Sequence, residues 1–230
     1  GNELAAFVPK IVGFPGTKEE PVWTTAEPEE NCTCLKLTED VGYIRIKSCK
    51  LEVLDYILNT HGNKDRNKIK TFLNNSKGKY NKLIIDVRNN SGGIQQYCYN
   101  TLIAPFLDEP AIYSQVGGLK TKYLTDTDKS VLRFLRKDMS TKRVHAIAVT
   151  EIQPPEEFDP NQWTFFEVTR KIEPRNRYNF KGDVYFLMNK GCFSATDNLL
   201  NEVKRIGFAK LVGRNTRGGG AGYIMPPAII

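Results

Sequence analysis

The chain has 230 residues, 40% of them hydrophobic, and a formal net charge of +7. That length suits one large domain or two small ones and is enough for a substantial core. No apolar run approaches the roughly 20 residues that cross a bilayer as a helix, so no integral membrane segment is expected.

The positive charge alone would suit nucleic acid, but its distribution argues against that partner. Between residues 61 and 82, Lys64, Arg66, Lys68, Lys70, Lys77, Lys79 and Lys82 face only Asp65. Ile69, Phe72 and Leu73 fall at helical spacing in the same stretch. The charges therefore read as the solvated side of one amphipathic helix. Five cysteines, Cys32, Cys34, Cys49, Cys98 and Cys192, form no CxxC pair and no zinc-like spacing with histidine. They read as buried thiols, and neither a metal nor a cofactor is expected.

In chain order, residues 1–40 carry Pro9, Pro15, Pro21 and Pro28 among acidic residues and read as a linker or the remnant of an N-terminal region. Val41–Lys47 reads as a strand, and Leu51, Leu54, Ile57 and Leu58 as a short helix. After the basic helix, Leu83–Val87, apolar except for Asp86, is a run of the kind buried in parallel sheets. Arg88–Gly93 is a turn. Ile94, Cys98 and Leu102 open a helix that Pro105 ends.

Residues 107–182 are less regular and read as an insertion, with a lid over a site as one use for it. Val131, Leu132, Phe134 and Leu135 suggest a helix there; Ala146–Val149 and Trp163–Val168 suggest strands. A strand at Val184–Met188, a helix with Gly207 as its terminal glycine, and a strand at Ala209–Val212 follow. Then comes a glycine turn from Arg217 to Gly222. The order predicts an α/β layered protein with a mostly parallel sheet, its core spanning residues 41–230.

Ser194 falls where the apolar strand ending at Met188 gives way to a helix whose apolar face is Ala195, Leu199, Val203 and Ile206. A helix start offers unpaired N–H groups and a partial positive charge. Nucleophilic serines need such donors, because acyl transfer builds negative charge on an oxygen. Serine is also a favoured N-cap, and Asp197 three residues on completes a near capping box, so capping is the competing expectation. In parallel sheets, sites form at the C-terminal ends of strands. Asn90-Ser91-Gly92-Gly93 lies at the end of one and the Ser194 turn at the end of another. Gly92 or Gly93, with the N–H of Ala195, would make a two-donor oxyanion hole.

Four segments resemble peptidase family S41. Ile84–Gly93 resembles its D-x-R-x-N-x-G-G segment, and Val41–Ile46 the strand before it. Phe193–Asp197 resembles the segment S-A-S-E, and Leu211–Gly219 the segment V-G-E-x-T-x-G. All four occur in family order. The resemblance implies a ClpP/crotonase-like layered core, truncated at the C-terminus, since the family domain continues past the apolar ending Pro226–Ile230. It implies a serine endopeptidase acting on extended or C-terminal peptide segments, placed outside the cytoplasm. Ser194 would be the catalytic nucleophile, with Ala195 and Gly92 or Gly93 holding the oxyanion.

The base stays open. One branch of the family places a Lys in the glycine turn, where this chain has Gly219. The chain therefore looks nearer the tricorn and interphotoreceptor retinoid-binding branch, whose peptidase members use an N-terminal His. Here the two histidines are His61 and His145, neither before the first core strand. A second reading is a non-catalytic relative that binds a peptide or an apolar ligand. Acyl-CoA chemistry on a crotonase core would use the two donors and leave Ser194 unexplained.

Overall fold

A computed structural model describes residues 30–50, 63–120, 144–175 and 178–220. The helices expected near 51–58 and 131–135, His61, and the C-terminal end lie outside the described residues. Strands β1 (Cys32–Lys36), β2 (Val41–Ile46) and β3 (Lys82–Asp86) frame helix α1 (Asn63–Asn75). A short helix, α2 (Gln95–Tyr97), runs into a π-helix at Cys98–Ile103. Strands β4 (Ala111–Lys120), β5 (Val144–Ile152) and β6 (Trp163–Ile172) follow. Strand β7 (Asp183–Met188), helix α3 (Ala195–Ile206) and strand β8 (Lys210–Gly213) close the described chain.

Five strands form the main sheet in the order β1-β2-β3-β7-β8. Pairing is parallel from β2 through β8, and only β1 runs antiparallel. This is the mostly parallel α/β layout expected from the apolar runs. Leu83, Ile84 and Ile85 are buried in the central strand, each contributing about 2 kcal/mol by removal from water. Parallel strands need their crossovers on the sheet faces, which is why α1 and α3 carry apolar stripes. Ile69 and Leu73 of α1 and Leu199, Leu200 and Val203 of α3 join one core. Of the basic residues on α1, Arg66 departs from the expected solvated face and is buried.

Two expectations are corrected. Cys32–Lys36 lies in the stretch read as a linker, yet it is a strand, with Cys32 1% exposed. The prolines before it dominate the composition, while the paired strand β2 supplies its ladder. The insertion is also more regular than its sequence suggests. Strands β4, β6 and β5 form an antiparallel three-stranded sheet, in that spatial order. Ala111, Ile172 and Val144 lie across from one another at one end of it, and all three join the main core. Among the described residues, no helix is long and apolar enough to cross a membrane.

Candidate active site

The parallel register sets the ends of β3 and β7 side by side, Asp86 opposite Leu187. The turns that follow are therefore neighbours, although a hundred residues separate them. Asn89 and Asn189 bind each other reciprocally: the Asn89 N–H donates to Asn189 Oδ1 and the Asn189 amide donates to Asn89 Oδ1, each at 2.9 Å. Cys192 Sγ donates to the Val87 carbonyl at 3.1 Å.

Asn90 joins the two turns more closely. It is fully buried. Its Oδ1 accepts from the Gly92 N–H at 2.9 Å and from Thr196 Oγ1 at 2.8 Å, while its backbone carbonyl accepts from the Phe193 N–H at 3.2 Å. Its amide nitrogen donates to the Ile46 carbonyl at 3.3 Å. A single side chain thus ties β2, the glycine turn and the start of α3. Sequence reading placed Asn90 in a turn and assigned it no role. The available signal was the asparagine two residues before a glycine, which forms an Asx turn on its own backbone.

Gly92 abuts the Ser194 turn. A Cβ there would lie 2.6 Å from the Phe193 carbonyl oxygen, 2.8 Å from the Ala195 nitrogen and 2.9 Å from Ser194 Cβ. Its φ of +95° also favours glycine. Position 92 therefore has no room for a side chain in front of the Ala195 N–H. Because the Gly92 N–H is committed to Asn90, the two-donor expectation narrows. Gly93 is exposed, and among the described residues its N–H has no acceptor. The Cys49 N–H and carbonyl clamp this turn from below, bonded to the Gly92 carbonyl at 3.0 Å and to the Ile94 N–H at 2.8 Å.

Ser194 sits at φ +54° and ψ −123°, and its side chain makes no capping hydrogen bond. The capping expectation is not met, since Oγ makes no hydrogen bond to the first turn of the helix. Asp197, expected as the other half of a capping box, instead accepts from the Gly220 N–H at 3.1 Å and from Thr216. The helix ends as predicted, with Gly207 in the left-handed region and its N–H bonded to the Val203 carbonyl at 2.9 Å.

The glycine turn after β8 wraps the same feature. The Ser194 N–H donates to the Gly218 carbonyl at 3.1 Å and the Arg217 N–H to the Cys192 carbonyl at 3.0 Å. The Arg217 guanidinium stacks 4.8 Å from the centre of the Phe193 ring. A Cβ on Gly219 would fall 2.2 Å from that ring, so any side chain at this place would have to displace it. His145, on β5, lies 3.8 Å from Glu173 rather than at Ser194. Among the described residues, no side chain hydrogen-bonds Ser194 Oγ, and no three His, Cys, Asp or Glu side chains gather as a metal site.

Behind α3 lies a buried polar cluster that sequence reading did not find. Glu202 accepts from Tyr99 at 2.7 Å and Tyr113 at 3.1 Å through Oε1, and from Gln95 at 3.2 Å through Oε2. Burial pushes its carboxyl up to about 7, against the pull of those hydroxyls and the nearby Arg170 charge. Nothing in the local sequence marks Glu202, because its partners come from the π-helix and the inserted sheet.

The chain belongs to peptidase family S41, whose model matches residues 40–225. Among solved structures, it resembles a candidate peptidase from Parabacteroides merdae, at 18% identity and a TM-score of 0.51, covering 84% of this chain and 46% of that one. It is also similar to a photosystem II D1 C-terminal processing protease, at 14% identity and a TM-score of 0.48, covering 85% of this chain and 39% of that one. A third similar structure is mature CPAF complexed with lactacystin, at 20% identity and a TM-score of 0.49, covering 79% of this chain and 38% of that one. The chain thus spans less than half the length of each of these proteins. No curated protein matches it in sequence.

Proposed function

We propose that this chain carries the nucleophile and oxyanion turns of an S41-type serine peptidase. The observation that carries this reading is the Ser194 backbone. A non-glycine residue at φ +54° and ψ −123° costs on the order of 1–3 kcal/mol, and such strain concentrates at functional sites. The same sharp strand-to-helix turn presents nucleophilic serines on other α/β sheets. Here, among the described residues, the partly exposed Ser194 Oγ has no hydrogen-bond partner.

In this reading Ser194 Oγ attacks the scissile carbonyl of an extended peptide, and the N–H groups of Ala195 and Gly93 hold the oxyanion. Collapse expels the amine and leaves an acyl-enzyme, which water hydrolyses. Gly92 keeps the space before the Ala195 N–H open, and Asn90 holds the two donor turns together. The inserted sheet, fastened to α3 through Tyr113 and Glu202, would form one wall of the cleft. The family resemblance further supports placement outside the cytoplasm and a protein or peptide substrate. His61, which lies outside the described residues, is the imidazole to test as base, since His145 is engaged with Glu173.

The test is labelling with a fluorophosphonate, which reacts with activated serines. The expected result is a labelled protein whose label disappears in Ser194→Ala, with His61→Ala slowing the reaction. A full-length protein that never labels would sink the peptidase reading. It would favour a non-catalytic S41 relative that binds peptide or an apolar ligand, a reading supported by glycine rather than lysine at position 219.

A further inference from the structure

Two thiols lie directly beneath the glycine turn. Cys49 and Cys98 are both fully buried, and Cys98 Sγ donates to Cys49 Sγ at 3.3 Å. All five cysteines are free thiols. Cys32 and Cys34 also approach, at 3.9 Å, but they are two residues apart on one strand. Cys49 and Cys98 come from different elements, one before α1 and one at the head of the π-helix. A disulfide spans about 2.05 Å between sulfurs, so closing this pair needs only about 1 Å of movement.

We propose that Cys49 and Cys98 are a modification site, forming a reversible disulfide on exposure to a hydroperoxide, and that this bond displaces the Gly92–Gly93 turn. The disulfide half stands on the sulfur geometry. The displacement half rests on the reading of that turn as an oxyanion turn.

The chemistry starts at Cys49. Its sulfur accepts from Cys98, and it lies 3.5 Å from Thr196 Oγ1 and 3.6 Å from the Asn90 amide nitrogen. The Cys98 hydrogen bond pulls the Cys49 thiol below its ordinary value against the burial that raises it, with Thr196 and Asn90 adding to the pull, whereas burial pushes Cys98 up. Cys49 is therefore the attacking sulfur. Its thiolate, formed as the thiol proton leaves, takes one oxygen of the peroxide; the O–O bond breaks and the departing hydroxide takes up that proton as water, giving a sulfenic acid. The Cys98 sulfur then attacks Cys49 Sγ. The S–O bond breaks, the Cys98 proton leaves with the departing oxygen as water, and the disulfide remains. Overall, two thiols lose two electrons and two protons, and one hydrogen peroxide becomes two waters. A thiol reductant restores the starting state.

The coupling to the turn is mechanical. The Cys49 carbonyl carbon and oxygen each lie 2.4 Å from where a Gly93 Cβ would be, so residue 49 and Gly93 are in direct backbone contact. Cys49 also holds Gly92 and Ile94 by its two backbone hydrogen bonds. On the other side, Cys98 Sγ lies 3.6 Å from the Ala195 carbonyl. Oxidation removes both S–H donors and draws the two backbones together under the two proposed oxyanion donors.

The experiment treats the folded, reduced protein with hydrogen peroxide and divides the sample. One part is alkylated and digested without reductant. The expected product joins the Cys49 and Cys98 peptides, with two fewer alkylated thiols. Five alkylated thiols, a bond mapped to Cys32–Cys34, or a stable sulfinic acid at Cys49 would each overturn the site. The other part is labelled with fluorophosphonate. Labelling is expected to slow about tenfold or more, since misplacement on the 1 Å scale is costly in catalysis, and to recover with reductant. Cys98→Ser should lose this peroxide response. A mapped disulfide with an unchanged labelling rate would overturn the coupling. If reduced protein never labels, the peptidase reading fails, while the peptide map still decides the disulfide.

Discussion

Ser194 holds a backbone that only glycine adopts without strain, and it does so without a capping bond in return. That cost can be measured. Ser194→Gly and Ser194→Ala both remove Oγ, but only glycine relaxes the positive φ. Glycine also loses more freedom on folding, which offsets part of the gain. The expected net is a Ser194→Gly protein more stable than Ser194→Ala by about 1 kcal/mol in urea unfolding. Equal midpoints would show that the turn stores no strain at this residue. The position of Ser194 was legible in the sequence, because a strand pattern ran into it and a helical pattern ran out. Its dihedral angles were not. They depend on the Gly218 carbonyl holding the Ser194 N–H, twenty-four residues later in the chain. That the Gly92 N–H is already bonded was hidden for a similar reason, since it turns on where the Asn90 side chain points.

At the scale of elements, the helix after Ser194 does two jobs on two faces. Its first turn meets the glycine turns, and its second places Glu202 among Tyr99, Tyr113 and Gln95. Burial raises the folded-state carboxyl to about 7, above the ordinary value of 4.5. The fold therefore favours the protonated form. This contribution is full below pH 4.5 and is lost as pH rises through about 7, on the order of 3 kcal/mol in all. Glu202→Gln keeps an acceptor for both tyrosines and removes the titration. Its thermal midpoint should be flatter than that of the wild type between pH 5 and pH 8. An unchanged slope would place the pH dependence elsewhere. Sequence periodicity found α1, α3 and strands β2, β3, β7 and β8 because each has an apolar stripe or run, and it passed over β1 among the prolines and acidic residues of the first forty positions. It missed β4 because Ala111–Lys120 mixes small, polar and paired glycine residues, and its ladder comes entirely from β6.

For the molecule as a whole, the inserted sheet joins the main core, among the described residues, through its Ala111–Ile172 end. Ala111, Val144 and Ile172 share a register row and sit in the main core, whereas at the other end Val116 is 56% exposed and Phe165 and Phe166 are buried outside that core cluster. Local opening follows the density of buried contacts. Hydrogen exchange in native protein should therefore be slower, averaged over amides, at 111–113 and 170–172 than at 116–118 and 150–152, by about tenfold or more. Uniform exchange along these strands would mean that the sheet opens as one unit. The order of the motifs made the family recognisable from sequence. The hundred-residue span between the two turns could be closed only by the parallel pairing of β3 with β7.

The π-helix at Cys98–Ile103 closes on a wider ring than its neighbours, with the Ala104 N–H reaching back five residues to the Tyr99 carbonyl at 2.9 Å. Counted against an α-helix, the segment contains one residue too many. Losing that residue would restore ordinary winding and rotate one side of the segment by about 100° relative to the other. If the lost residue is Asn100 or Thr101, Tyr99 could then no longer meet Glu202 while Leu102 and Ile103 stay in the core. The fold thus reads chain length at this point as strictly as it reads residue identity, and a single-codon deletion here would uncouple the inserted sheet from the serine-bearing helix without changing any side chain that touches a substrate.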